Sequence, residues 1–156
     1  MSNSQNINRR RSWLNLPELN IAIFAFLLNF LWEVQQMPFF KLSDLSCTRR
    51  TINCTLATFG DVLIALTGFW TIAFFSKSRQ WFRQPKWWQL SIFILVSLVI
   101  TVIFEKLATG VLNRWEYADI MPTLPVLGTG LTPIFQWIIL PLIIIWFVKR
   151  QVSFRN

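Results

Sequence analysis

The side chains that could do chemistry in this 156-residue chain are its carboxyl groups. The chain contains no histidine and two cysteines, which excludes histidine-based triads, histidine-ligated zinc or haem, and any four-cysteine metal cluster. Three of the seven acidic residues, Glu33, Asp61 and Glu105, fall at the ends of long apolar segments. Carboxyl groups in such surroundings suit general acid and base chemistry, so these three are our candidate catalytic residues.

Polar residues around these acids recur at helical spacing. Residues three or four positions apart share one face of a helix. Because polar groups facing lipid would lose their hydrogen bonds, we expect these faces to meet one another at one depth. The stripes are Asn29, Glu33 and Gln36, then Ser97, Thr101, Glu105 and Ala108, then Thr129, Thr132 and Gln136.

The segment between the third and fourth apolar runs mixes polar and aromatic residues most densely. It contains Arg114, Trp115, Glu116 and the only tyrosine, Tyr117, and its prolines and glycines favour a shaped, non-helical loop. We expect Arg114 to neutralise one or two of the buried acids. We predict no bound metal and no organic cofactor. The candidate substrate-binding residues are Asn29, Gln36, Thr101, Arg114, Trp115, Glu116, Tyr117 and Gln136.

Long apolar segments must position these residues. A membrane-spanning helix needs about 20 apolar residues, and four runs qualify, at about residues 19–39, 59–75, 88–109 and 131–148. With 54% hydrophobic and 14% charged residues, the chain suits the bilayer better than water. Its short connections leave no room for a second domain. We therefore predict an all-α, polytopic integral membrane protein, a single four-transmembrane-helix bundle over residues 1–156.

The distribution of cations predicts the orientation. Ten of the 15 Lys and Arg residues fall on one side of the predicted spans, including a basic amino-terminal segment at residues 1–16. Cytoplasmic loops are enriched in these residues, so both termini are predicted to be cytoplasmic. The net charge of +8 then reflects the orientation of the chain in the membrane. The positively charged residues are divided among three short segments, which argues against nucleic-acid binding. We expect an inner (plasma) or thylakoid membrane.

Cys47 and Cys54 both fall in the first predicted outer loop. An oxidising compartment would allow a disulfide between them, which would stiffen the outer rim of the bundle. The alternative is two unpaired thiols. Six residues separate the pair, so a CxxC redox motif is absent.

Short motifs occur along most of the chain: Trp32-Glu33 with Gln36-Met37-Pro38, Gly60-Asp61, Arg114-Trp115 with Tyr117 and Met121-Pro122, and Gly130-Leu131-Thr132-Pro133 with Gln136. In these motifs the sequence resembles a family of small, uncharacterised four-helix membrane proteins from bacteria, including cyanobacteria. The resemblance implies a bacterial inner-membrane setting. It implies no activity.

Three functions fit these observations. The first is an enzyme or binding protein for an isoprenoid or other membrane lipid, with one carboxyl group donating and another accepting a proton. The second is a small accessory subunit of a larger membrane complex, in which the acids pair with Lys106 and Arg114 and serve only structure. The third is binding or transport of a cation or proton by carboxylate, amide and hydroxyl oxygens. Polar residues become sparse toward the cytoplasmic half, which disfavours transport through one protomer.

Overall fold

Four long helices form the protein in a computed structural model, which describes residues 16–42 and 45–153. All four are long and apolar enough to cross a membrane, so the predicted all-α bundle is confirmed. A 3-10 turn follows the first helix, a second lies between the second and third, and a π-helical turn extends the third. The helices are α1 (Pro17–Gln36), α2 (Cys47–Ser76), α3 (Trp87–Lys106) and α4 (Leu131–Ser153), and the turns are Met37–Phe39, Trp81–Arg83 and Leu107–Val111.

The helices run alternately up and down, and each packs against two neighbours. Helix α1 contacts α2 and α4, and α3 contacts the same two helices from the opposite side. We name the end where α1 and α3 finish the acidic end, because it holds Glu33, Asp61 and Glu105. The opposite end, where α1 and α3 begin, is the basic end. This arrangement brings side chains from all four helices together at each end.

Small residues on α2 allow a close approach between α2 and α3. Ala65, Gly68 and Ala73 are buried. A Cβ atom on Gly68 would lie 2.3 Å from the ring of Phe93 on α3. The helices can therefore pack at this separation only because position 68 has no side chain.

Helix α2 begins at Cys47, about 12 residues before the predicted start. The Ser46 hydroxyl caps it by accepting a hydrogen bond from the backbone N–H of Arg49 at 3.4 Å. Its 30 residues span about 45 Å at about 1.5 Å per residue, more than the roughly 30 Å of hydrocarbon in a bilayer. The first turns of α2 carry polar side chains, because they extend beyond the hydrocarbon. A search for apolar runs alone therefore does not identify this part of the helix.

Of the two alternatives for Cys47 and Cys54, the structure has the unpaired thiols, and both residues lie on α2. The helix rises through seven positions from Cys47 to Cys54 and separates their Cα atoms by roughly 10 Å, whereas a disulfide needs at most about 7 Å. Cys47 is exposed and Cys54 is buried.

Most of the predicted basic amino-terminal segment, residues 1–15, lies outside the described residues, as does Asp44.

Candidate functional site

The acidic end gathers three carboxyl groups from three different helices. Glu33 on α1 and Glu105 on α3 lie close enough to interact electrostatically, and Asp61 on α2 interacts with both. Glu105 is buried, and the other two are half-buried. Ser97 and Thr101, which precede Glu105 on the same face of α3, are also buried. The predicted inward orientation of the α3 stripe is therefore confirmed.

A pair of buried amides links three of the helices. The Nε2 of Gln136 on α4 donates to Oδ1 of Asn29 on α1 at 2.7 Å and to Oδ2 of Asp61 on α2 at 3.1 Å. The Nδ2 of Asn29 in turn donates to the carbonyl oxygen of Ala25 at 2.7 Å. Because Asn29 and Gln136 are both buried, each amide is fixed in orientation by partners that it cannot exchange for water. Asp61 is thus held by a neutral donor.

Glu33 also has a neutral partner. The Nε2 of Gln36, one turn further along α1, donates to Oε1 of Glu33 at 2.7 Å. Several buried polar atoms on the predicted polar stripes have no hydrogen-bond partner among residues 16–42 and 45–153. These atoms are Gln36 Oε1, Ser97 Oγ, Thr101 Oγ1 and Thr129 Oγ1. They retain hydrogen-bonding capacity inside the bundle, where buried polar groups are normally paired.

Tyr117 connects the third carboxyl group to the loop at residues 112–130. Its hydroxyl donates to the Glu105 carboxylate and accepts from the backbone N–H of Gly130 at 3.1 Å. Burial raises the pKa of Tyr117 above its ordinary value, and the hydrogen bond to Glu105 raises it further. The indole N–H of Trp115 faces the same carboxylate outside ordinary hydrogen-bond geometry. Two aromatic side chains of the loop, Tyr117 and Trp115, therefore face the Glu105 carboxylate.

The loop is attached to the end of α1 through backbone hydrogen bonds. The N–H of Lys41 donates to the carbonyl of Glu116 at 2.9 Å, and the N–H of Ala118 donates to the carbonyl of Phe39 at 2.9 Å. The Lys41 ammonium forms an exposed ion pair with the Glu116 carboxylate at 2.8 Å. This hydrogen bond raises the pKa of Lys41, and the charge of Glu116 adds to the effect. Glu116, a predicted binding residue, therefore lies outside the buried cluster.

Arg114 does not neutralise the buried acids, so that expectation is wrong. Its side chain is exposed, and no carboxylate in the described part of the chain lies within ion-pair distance of it. The chain leaves α3 through the π-helical turn and then through Asn113, whose φ of 44° is in the left-handed region. On the surface the guanidinium keeps its hydration, which it would lose beside Glu105. The Tyr117 hydroxyl contacts Glu105 instead.

Ser97 and Thr129 are also buried, although neither is among the predicted binding residues. Both residues lie on the predicted polar stripes. The helical spacing of these stripes is the feature of the sequence that indicates their burial. No group of three His, Cys, Asp or Glu side chains within the described ranges is placed to hold a metal ion. The site in the described part of the chain therefore offers carboxyl, amide and hydroxyl groups that interact across the helices but are not arranged as ligands of one metal ion.

Fold and site together define a class, namely a multi-pass, four-helix membrane protein with carboxyl groups gathered inside one end of the bundle. Comparison of the chain with protein-family models, with curated proteins and with solved structures gives no match. The resemblance to small bacterial membrane proteins stays a prediction.

Proposed function

We propose that the protein binds an apolar isoprenoid or related lipid from the bilayer and exchanges protons with it at the acidic end. One observation carries this proposal: carboxyl groups from three helices meet inside the bundle with neutral hydrogen-bond partners. These partners are Gln36 for Glu33, Gln136 for Asp61 and Tyr117 for Glu105. An ion pair would hold a carboxylate in its charged form, whereas a neutral partner allows it to take up and release a proton.

The reaction that suits this set is movement of a carbon–carbon double bond. One carboxylic acid adds a proton to one carbon of the double bond, and a second carboxylate removes a proton from the carbon adjacent to the other end of that double bond. The protons balance, and the step needs no oxidant or reductant. Asp61 and Glu105 are the proposed pair, because they lie on different helices and have different hydrogen-bond partners.

An apolar groove between α1 and α2 supports a lipid as the substrate. It has a volume of about 290 Å³, and all six residues that line it are apolar. Phe26 on α1 lies three residues before Asn29, and Val62 on α2 directly follows Asp61. A hydrocarbon chain seated in this groove would therefore lie beside the helices that carry the polar cluster. Its remaining lining residues are Ala22, Ile23, Leu27 and Phe59.

The test is transfer of deuterium from solvent to a linear isoprenoid. The full chain is reconstituted in nanodiscs that contain squalene or geranylgeraniol, placed in D₂O, and carbon-bound deuterium is measured by mass spectrometry. We expect the wild-type protein to introduce deuterium into at least one of these lipids. Glu105→Gln and Asp61→Asn should each lower the rate by about 100-fold or more, as expected for loss of an acid or base.

Glu116→Gln is the matched control, because it removes a carboxyl group that is exposed and outside the cluster. Its rate should equal that of the wild type. Circular dichroism and thermal melting establish that each variant is folded. The proposal fails if wild-type nanodiscs show no more deuterium than empty ones, or if the cluster variants retain the wild-type rate.

The orientation belongs to the same proposal. We place the basic end in the cytoplasm and the acidic end outside, in a bacterial inner or thylakoid membrane, because the sequence predicts ten of the 15 cations on the basic side of the spans. The substrate would then enter the site from the outer leaflet. The accessory-subunit function predicts instead that the cluster variants lose stability but no chemistry.

A further inference from the structure

A second cavity lies at the basic end, far along the helices from the carboxyl cluster. It is a groove of about 430 Å³ beside the loop that joins α2 to α3. Hydroxyl, amide and cationic side chains line it, and no carboxylate is among its lining residues in the described ranges. The lining residues that bear on the argument are Ser76, Ser78, Trp81, Arg83, Lys86 and Gln89.

The groove is held in shape by packing and hydrogen bonds on both sides. Trp81 is buried, with its ring 5.7 Å from that of Phe69 on α2 and 6.3 Å from that of Phe93 on α3. The Nε2 of Gln89 donates to Oγ of Ser76 at 2.8 Å. The same Gln89 side chain accepts from the backbone N–H of Lys86 at 2.8 Å. The loop is therefore fixed to both helices before any ligand arrives.

Exposed tryptophans place the groove at the level of the lipid headgroups. Trp87 is 84% exposed and Trp88 is 43% exposed, both in the first turn of α3 beside the groove. Tryptophan concentrates at membrane–water interfaces, where its ring contacts acyl chains and its N–H contacts polar groups. The groove therefore opens where phosphate groups of the bilayer lie.

Its charge and hydrogen-bonding groups favour an anion. Arg83 and Lys86, which line the groove, contribute two positive charges. The indole N–H of Trp81 is buried and has no hydrogen-bond partner in the described part of the chain. Guanidinium, ammonium and indole donors beside serine hydroxyls match the oxygens of a phosphate group.

We propose that this groove binds the phosphate group of an anionic molecule, either a phospholipid headgroup or a soluble phosphate compound. The site is independent of the carboxyl cluster and of the proposed proton transfer. Two cations and a fixed loop distinguish it from the diffuse attraction that any basic membrane face has for anionic lipids.

The test is native mass spectrometry of the full chain in detergent, titrated with phosphatidylglycerol, phosphatidylcholine or inorganic phosphate. The groove variant is Arg83→Gln with Lys86→Gln. The matched control is Lys149→Gln with Arg150→Gln, which removes two exposed cations at the same end, on α4 and away from the groove. We expect the groove variant to weaken phosphatidylglycerol binding about ten-fold and the control to weaken it less than about two-fold.

Competition identifies the source of the phosphate. If inorganic phosphate displaces phosphatidylglycerol and the groove variant binds both more weakly, the groove recognises the phosphate group itself and accepts a soluble phosphate compound. If phosphate does not displace the lipid, the ligand is the headgroup. Either result supports the site. Equal losses in the groove and control variants, or equal binding of phosphatidylglycerol and phosphatidylcholine by the wild type, would overturn it.

Trp81→Phe keeps the test decisive if the double variant does not fold. It keeps an aromatic ring between Phe69 and Phe93 and removes the indole N–H, together with part of the volume of the ring. We expect phosphatidylglycerol binding to weaken about three-fold, as for loss of one hydrogen bond to a charged group. Unchanged binding in this variant would contradict the proposal.

Discussion

Uncharged hydrogen-bond donors contact the carboxyl groups of the acidic end. The identity of these donors determines which chemistry the carboxyl groups can perform. Gln136 orients Asp61, and Tyr117 contacts Glu105. Gln136 lies on a different helix from Asp61, and Tyr117 lies in the loop that follows the helix of Glu105. Loss of one donor would therefore leave a carboxyl group inside the bundle with fewer partners, at a cost of about 1–3 kcal/mol in the free energy of unfolding.

Tyr117 reports on this environment directly, because it is the only tyrosine in the chain. Its raised pKa means that the phenol stays protonated above pH about 10, where an exposed tyrosine ionises. The protonated phenol contributes its full stabilisation below that pH. This stabilisation is lost as the pH rises through the interval between the ordinary pKa and the raised one. Ultraviolet difference absorbance of the phenolate measures the titration.

Glu105→Gln is the informative comparison for this titration. It removes the hydrogen-bonded charge but not the burial, which is the larger cause of the shift. We expect the pKa of Tyr117 to fall in this variant but to stay above its ordinary value. Titration of the folded wild-type protein with an ordinary tyrosine pKa would show that Tyr117 is not buried against Glu105.

The sequence predicts most of the helices. It does not predict which side chains contact one another near the helix ends. Apolar runs located α1, α3 and α4 to within a few residues, and helical spacing identified inward-facing residues such as Asn29 and Gln136. The polar start of α2 was missed because a helix that leaves the hydrocarbon no longer needs apolar side chains. The exposure of Arg114 depends on the turn at Asn113, which hydrophobic periodicity does not encode.

The packing of α2 on α3 gives a prediction at the scale of these elements. Gly68→Ala places a methyl group against the ring of Phe93, so one helix must shift. We expect a loss of about 1–3 kcal/mol in the free energy of unfolding, as for other overpacked cores. Unfolding in mixed micelles on titration with sodium dodecyl sulfate measures it.

Gly60→Ala is the control on the same helix. A Cβ atom there would meet nothing within 4 Å. This variant should be neutral or slightly more stable, since alanine favours a helix by up to about 1 kcal/mol over glycine. Equal effects of the two substitutions would show that α2 and α3 do not approach closely at Gly68.

The two ends of the molecule carry different polar groups. The acidic end holds the carboxyl cluster under a structured loop, and the basic end holds a groove of about 430 Å³ whose lining includes Arg83 and Lys86. Apolar helix faces separate them across the bilayer. The proposed lipid chemistry and the proposed phosphate site would therefore act at opposite membrane surfaces.

Cys47 tests the proposed orientation, because it is exposed near the acidic end whereas Cys54 is buried. A membrane-impermeant maleimide applied to intact cells should label the wild type and Cys54→Ser, without reductant, and should not label Cys47→Ser. Labelling that requires cell lysis would reverse the orientation. Labelling that requires a reductant would show that the thiols are bridged.

The proposed function depends above all on the claim that polar side chains of the helices meet inside the bundle. A double-mutant cycle on Asn29 and Gln136, which are 107 positions apart and hydrogen-bonded at 2.7 Å, tests it most directly. The variants are Asn29→Leu, Gln136→Met and their combination, with unfolding free energies measured in mixed micelles. The control cycle pairs Gln136→Met with Gln35→Leu, an exposed position on α1.

We predict a coupling energy of about 0.5–3 kcal/mol between Asn29 and Gln136, so that the double variant loses less stability than the two single variants together. The control cycle should be additive within about 0.5 kcal/mol. Additive effects at Asn29 and Gln136 would mean that the two amides do not meet, and would contradict the buried cluster.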